Sequence, residues 1–198
     1  MSTAGLSTVG QIRQPQNVLL FMAVFSPFGI AFDWTLRRAE EEFGAVALRS
    51  GAFPFEQFTN YYAPTMGAKL PKELWAFQKR IDPAALPKIK CLTNKWEADF
   101  VQETAAGNVS GSDVSVSRPL NIDPGYIDLG KLILASTKDH AHRIYLSKGI
   151  FAETTLVYTQ KHWKALPWSY PDYQSEGYQT FLTQCRELLK KSRTPPSL

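Results

Sequence analysis

The run Val18 to Phe25 (VLLFMAVF) is eight apolar residues without a break, the pattern of a strand buried on both faces. After it, Phe32, Leu36, Ala39 and Phe43 recur at intervals of 4, 3 and 4, so a helix follows, with Asp33 suited to its N-cap and Gly44 to its C-terminal stop. Residues 45–53 read as extended. The segment FPFEQFTNYYAPTMG at 53–67 holds too many aromatics and prolines for a plain linker and should fold back over the core. Leu74 to Ile81 alternates as a strand does, and Asp82–Pro83 opens a helix whose stripe is Ile89, Leu92, Trp96 and Phe100 and which ends before Gly107.

The Gly- and Ser-rich stretch at 105–117 predicts a flexible surface loop. DPGY at 123–126 then reads as a turn, and Asp128 as the cap of a short helix through Leu129, Leu132 and Ile133. HAHRIYL and IFAETTLVY, joined by a three-residue Ser147–Lys148–Gly149 turn, read as a hairpin. From Ser175 the positions Tyr178, Phe181, Leu182, Cys185, Leu188 and Leu189 give a C-terminal amphipathic helix that ends in Lys190, Lys191 and Arg193, charges suited to the negative end of a helix dipole. The sum is an α+β fold: one layered domain at 17–191, a mixed or antiparallel sheet and about four helices, between a flexible arm at 1–16 and a tail at 192–198.

Composition narrows the class. With 198 residues, 44% hydrophobic and 13% aromatic, the chain can fill one sizeable core. The net charge of +4 is spread evenly, since residues 1–99 and 100–198 each carry 11 basic and 9 acidic side chains, so there is no basic arm of the kind that binds nucleic acid. Cys91 and Cys185 are the only cysteines, too few for a disulfide framework, and reduced thiols in a cytoplasmic protein are expected. The longest apolar run is interrupted by Ser26, Pro27 and Gly29, short of a membrane span, and with Arg13 the one basic residue ahead of it a signal peptide is not expected.

One stretch imitates a phosphate-binding loop. Residues 125–132, GYIDLGKL, carry the spacing G-x-x-x-x-G-K, but Leu132 stands where a magnesium-holding hydroxyl is needed, and Tyr126, Ile127, Asp128 and Leu129 put bulk and an anion where small residues should expose backbone N–H groups. NKWE at 94–97 approaches a guanine-reading pattern, yet Trp96 belongs to the apolar stripe of its helix. Neither stretch supports nucleotide hydrolysis. The residues DPGY, LILASTKDHAHRIYL, GIFAETTLVY and LPWSYPDY together resemble the bacterial domain-of-unknown-function family 4416, over about residues 17–191. The resemblance extends to the Phe-Pro-Phe run, tyrosine pair and Met-Gly of 53–67, although Asn60, Pro64 and Thr65 stand where that family more often has acidic residues. Gly130 looks individual to this chain. The resemblance implies no assigned activity; members are sometimes labelled GTP-binding, which these residues do not support.

Chemistry concentrates in STKDHAHRIY at 136–145. Read as a strand, it puts His142 on one face with Ile144 and Leu146, and sets Arg143 opposite Glu153 as a cross-strand ion pair, which is a structural account of both residues. The functional account makes the cluster a pocket for a small anionic or phosphate-bearing ligand, with Lys138, Asp139, His140, His142 and Arg143 joined by Asp123 and Tyr126. His140 and His142 form an H-x-H pair without a firm third ligand, so no metal and no cofactor is implied, and a metal-dependent enzyme ranks last. The alternative is a non-catalytic interaction module or RNA-binding protein, using Phe58, Tyr61, Tyr62, Trp168, Tyr170 and Tyr173 with the basic KHWK at 161–164, though no RNA-binding motif is present. Catalysis, reaction type and oligomeric state are not legible in these letters.

Overall fold

A computed structural model describes residues 10–106 and 116–193. Its centre is a nine-stranded, wholly antiparallel sheet in the order β2-β4-β1-β5-β6-β8-β7, with β3 also paired to β4 and β9 to β8. The strands are β1 (Val18–Phe25), β2 (Val46–Arg49), β3 (Phe53–Pro54), β4 (Pro71–Ile81), β5 (Asn121–Ile127), β6 (Lys131–Ser136), β7 (Ile144–Ser147), β8 (Ile150–Thr159) and β9 (His162–Ala165). The helices are α1 (Gly29–Phe43), the single turn α2 (Ala63–Met66), α3 (Leu86–Ala105) and α4 (Glu176–Arg193). The fold is the α+β class read from the sequence.

The unbroken apolar run of β1 has a direct structural cause. Leu19, Phe21 and Ala23 point to one face, where they pack with Tyr178, Phe181, Leu182, Cys185 and Leu189 of α4. Leu20, Met22 and Val24 point to the other, where α1 and α3 supply Phe32, Phe43, Ile89, Trp96 and Phe100. A strand sandwiched this way has no wet face, so alternation disappears from its sequence. The aromatic segment does fold back: Phe55 and Met66 are buried with Phe25 and Leu70.

Four local expectations need correction. Asp33 does not cap α1, which begins four residues earlier; the buried Ser26 hydroxyl accepts the Phe28 N–H at 3.0 Å and so prepares the helix entrance before Asp33 is reached. DPGY is not a turn but the middle of β5, with Asp123 opposite Ala23 and Pro124 opposite Met22. No helix follows Asp128: residues 128–130 turn the chain between β5 and β6, closed by the Asp128 N–H to the Lys131 carbonyl at 2.9 Å. The hairpin of β7 and β8 exists, but Ser147 pairs with Ile150, leaving a two-residue turn of Lys148 (φ 55°) and Gly149 (φ 74°), and 137–143 is a loop rather than the strand's beginning. Of the expected flexible loop at 105–117, residues 107–115 lie outside the described residues, as do 1–9 of the arm and 194–198 of the tail.

Gly125 and Pro124 together shape the centre of the sheet. A Cβ on Gly125 would lie 2.2 Å from the Ile133 carbonyl oxygen, so only glycine lets β6 approach β5 at this point. Pairing between the two strands runs Ile127↔Leu132, Tyr126↔Ile133, Gly125↔Leu134 and stops there. Pro124 has no N–H to extend the ladder. β6 continues to Ser136 paired only with β8, and the gap between it and the start of β5 is open. Gly125→Ala should therefore lower the unfolding free energy by about 2 kcal/mol or more in urea titration, the cost of overpacking against fixed backbone; a change under about 0.5 kcal/mol would show that β5 and β6 are not held this close.

Candidate functional site

The gap between β5 and β6 widens into a cleft of about 260 Å³. Three elements wall it. Lys90, Asn94 and Glu97 project from α3 at i, i+4 and i+7, one stripe of the helix beside the apolar stripe that packs on the sheet. Asn121 and Asp123 come from the start of β5, and Ser136 with Lys138 from the end of β6 and the loop beyond it. Arg118, Arg143, Glu153, Tyr62 and Tyr170 complete the rim.

Carboxylates hold the cations in fixed positions. The Lys90 ammonium donates to the Ile122 carbonyl at 2.8 Å and to Asp123 Oδ1 at 3.3 Å. Glu97 accepts the Ile122 N–H on Oε1 at 2.8 Å and the Arg118 guanidinium on Oε2 at 3.2 Å; Arg118 also donates to Asn121 Oδ1. Asn121 in turn donates to Asp123 Oδ2 at 2.8 Å. Across the cleft, Arg143 Nε donates to Glu153 Oε2 at 2.7 Å, and its Nη1 reaches the Ser136 hydroxyl at 2.7 Å and the Lys138 carbonyl at 3.0 Å. The ion pair read from the hairpin is thus present, and it is buried, with side chains 7% and 3% exposed.

The two acids on the α3 side respond oppositely to their surroundings. For Glu97, burial dominates and pushes the carboxyl up, despite Lys90, the Ile122 N–H and Arg118. For Asp123, burial acts in the same sense but is overcome by the Lys90 and Lys72 ammoniums and the Asn121 and Lys90 hydrogen bonds, so its carboxyl lies below the ordinary range. Asp123 is ringed by protein, yet 31% of its side-chain surface still faces the cleft. Tyr62 and Tyr170 are held above the usual phenol range by burial first and by Asp123 among the charges, so both remain hydroxyl donors.

Of the residues singled out in the sequence, Asp123, Lys138 and Arg143 line the cleft. Asp139, His140, His142 and Tyr126 do not. Asp139 and His140 are exposed on the loop. His142 stacks on the Trp168 indole (centroids 5.0 Å, planes 10° apart) and faces Glu153 Oε2 through Nε2 at 3.3 Å. Tyr126, three residues from Asp123, points to the opposite face of β5 and packs beside Ile133. The His140 and His142 rings lie 5.8 Å apart, and among the described residues no three His, Cys, Asp or Glu side chains are grouped to hold a metal ion. Among the aromatics weighed for stacking bases, Tyr61 (67% exposed), Trp168 and Tyr170 reach solvent, whereas Tyr173 is core. In KHWK, Trp163 is buried and both lysines are exposed. Sequence reasoning missed Lys90, Asn94, Glu97, Arg118 and Asn121, and took Tyr170 only as a base-stacking candidate. The i, i+4, i+7 polar stripe on α3 was a detectable signal: Asn94 and Glu97 belong to the NKWE stretch, where Trp96 does pack in the core against Phe43.

An antiparallel sheet covered by helices on both faces, with a charged cleft where two central strands separate, defines an α+β protein. Residues 16–189 match the family described as Domain of unknown function (DUF4416), and the chain belongs to that family. Neither among curated proteins nor among solved structures does any match the chain. No helix among the described residues is long and apolar enough to cross a membrane.

Opposite shifts predict opposite mutational signs at neutral pH. A depressed carboxyl contributes stability above its unfolded-state value that is lost as pH falls through the folded one; a raised carboxyl has the reverse effect. Asp123→Asn should lower the melting temperature at pH 7 and lose that deficit below about pH 4. Glu97→Gln, which can keep the Ile122 hydrogen bond, should leave the melting temperature unchanged or higher at pH 7. Melting curves of both variants from pH 3 to 8 test this, and equal destabilisation by the two at pH 7 would contradict it.

Proposed function

We propose that the cleft binds a small anionic, phosphate-bearing ligand. The observation that carries this reading is a charge imbalance in a preformed concavity. Four cations line it (Lys90, Arg118, Lys138, Arg143) against three carboxylates (Glu97, Asp123, Glu153), which leaves one positive charge over. The carboxylates engage Lys90, Arg118 and Arg143. Lys138 has only the Tyr61 hydroxyl at 3.3 Å and the Tyr61 ring face, and its ammonium is the charge without a carboxylate among the described residues. Fixed guanidinium groups beside one adaptable ammonium suit the several oxygens of a phosphate, because the former supply directed donors and the latter follows the ligand. The carboxylates serve a second purpose: they make the cleft selective for ligands that also present hydrogen-bond donors, such as hydroxyl groups.

The phosphate-loop imitation takes no part in this reading. Lys131 lies at the far end of β6, five residues or roughly 17 Å from Ser136. The test is a thermal-shift screen with inorganic phosphate, sulfate, sugar phosphates, nucleotides and a short single-stranded RNA. Small phosphorylated compounds should raise the melting temperature of the wild type. Lys138→Ala, an exposed substitution costing less than about 0.5 kcal/mol, should remove the response while the unliganded protein melts within a few degrees of wild type; His140→Ala and Lys131→Ala should leave it intact. If no small anion stabilises the protein, or if only RNA does so, the reading fails.

A further inference from the structure

Behind the cleft lies a second, smaller space of about 30 Å³. It shares Tyr62, Asp123, Leu134 and Tyr170 with the cleft, so it is the cleft's inner end rather than a separate void. Its volume exceeds the roughly 10–15 Å³ that admits one water and suits a group of about two heavy atoms. The far wall is Lys72, a lysine 3% exposed in β4. Its ammonium sits 4.2 Å from the Phe55 ring centre and 5.1 Å from that of Tyr173, and donates to Asp172 Oδ2 at 2.7 Å. No second hydrogen bond from this ammonium is made among the described residues, so of its three N–H groups one is engaged. The partner carboxylate is fully buried, and its Oδ1 has no hydrogen bond.

An ammonium buried among aromatic rings with donors unspent is costly, and a pair of this kind contributes no more stability than apolar packing of the same volume. Its placement at the blind end of a ligand-sized cleft therefore calls for a function. The chemistry of the walls limits what can enter. Lys72 offers donors and repels amines. Asp123 offers an acceptor and repels a second anion. A carbonyl oxygen would satisfy Lys72 but give nothing to the acceptor capacity Asp123 keeps beyond Lys90 and Asn121, whereas a hydroxyl accepts from Lys72 and donates to Asp123.

Building on the anion reading above, we propose that this chamber is a subsite for a primary hydroxyl, so that the ligand is a phosphorylated polyol or sugar whose hydroxymethyl end lies between Lys72 and Asp123. A site built to hydrogen-bond a hydroxyl rejects the analogue lacking it, because its own polar groups are then left unmatched. Isothermal titration of the wild type with two matched pairs of different reach tests this: glycerol 3-phosphate against propyl phosphate, and erythritol 4-phosphate against butyl phosphate. In at least one pair the hydroxylated member should bind tenfold or more tightly. Leu134→Phe, which fills the chamber and removes no charge, should abolish that preference while still binding the hydroxyl-free ester; Leu134→Met is the milder filler if the phenylalanine variant does not fold. Equal binding within both pairs, or a preference that survives a folded filled variant, overturns the hydroxyl subsite and leaves the anion reading standing. If no ester and no inorganic phosphate binds at all, the anion reading falls first and the subsite with it.

Discussion

β5 and β6 can lie side by side for three residue pairs and no more. Gly125 permits the contact, because any side chain there would meet the Ile133 carbonyl, and Pro124 cannot continue the ladder. The divergence that follows is not relaxed by the rest of the sheet, since β1 holds the start of β5 from one side and β8 holds the end of β6 from the other. Two strands fixed apart by their outer neighbours leave backbone and side chains facing an open space. Every polar group of the cleft is placed with respect to that space: Asn121 and Asp123 on one lip, Ser136 on the other, α3 across the gap.

A space in the middle of a sheet would ordinarily be filled with apolar side chains. Here it is filled with charge, and the charges are arranged so that few lack a partner. Glu97 ties α3 to β5 through the Ile122 N–H and carries Arg118; Lys90 returns from the same helix to the Ile122 carbonyl. The same short piece of β5 backbone, unpaired on its β6 side, thus receives from α3 both a donor and an acceptor that a neighbouring strand would otherwise supply. The polar stripe of α3 replaces a missing strand. That is a structural role, and it is compatible with the proposed ligand binding because each of these side chains still lines the cleft.

How much of this was legible depends on where the information resides. β1 was plain because burial on both faces leaves no polar letter in Val18 to Phe25, and α4 because its stripe is long and regular. DPGY misled because proline and glycine usually punctuate turns, and here they perform the same local acts, denying an N–H and permitting a close approach, inside a strand. HAHR was read as strand because it adjoins IYLS, yet the loop at 137–143 is closed on itself by Arg143, which donates to the Ser136 hydroxyl and the Lys138 carbonyl, contacts that no strand pattern encodes. Arg143 opposite Glu153 was legible, since hairpin register is local. The other half of the cleft was not: Lys90 meets Asp123 and Glu97 meets Arg118 through the packing of α3 on β5 and the residues just before it, and Lys72 meets Asp172 across 100 positions of sequence.

The loop-like spacing at 125–132 shows why spacing alone does not make an anion site. Its letters form a hairpin whose tip is fastened to α4: Arg186 Nε donates to the Leu129 carbonyl at 2.8 Å and Arg193 Nη1 to Asp128 Oδ1 at 3.0 Å. The Asp128 N–H is committed to Lys131 and the Leu129 N–H to Asp128 Oδ1. A phosphate loop works because successive N–H groups at a helix start are left without partners and converge on one point. In this hairpin the Asp128 and Leu129 N–H groups already have acceptors, Arg186 and Arg193 have carbonyl or carboxylate partners, and no helix begins there. The cleft lies at the opposite end of β6 and is built by the other rule. Its backbone is largely engaged, and what remains available to an anion are side chains, guanidinium groups oriented by carboxylates and one ammonium, Lys138, that none of them neutralises.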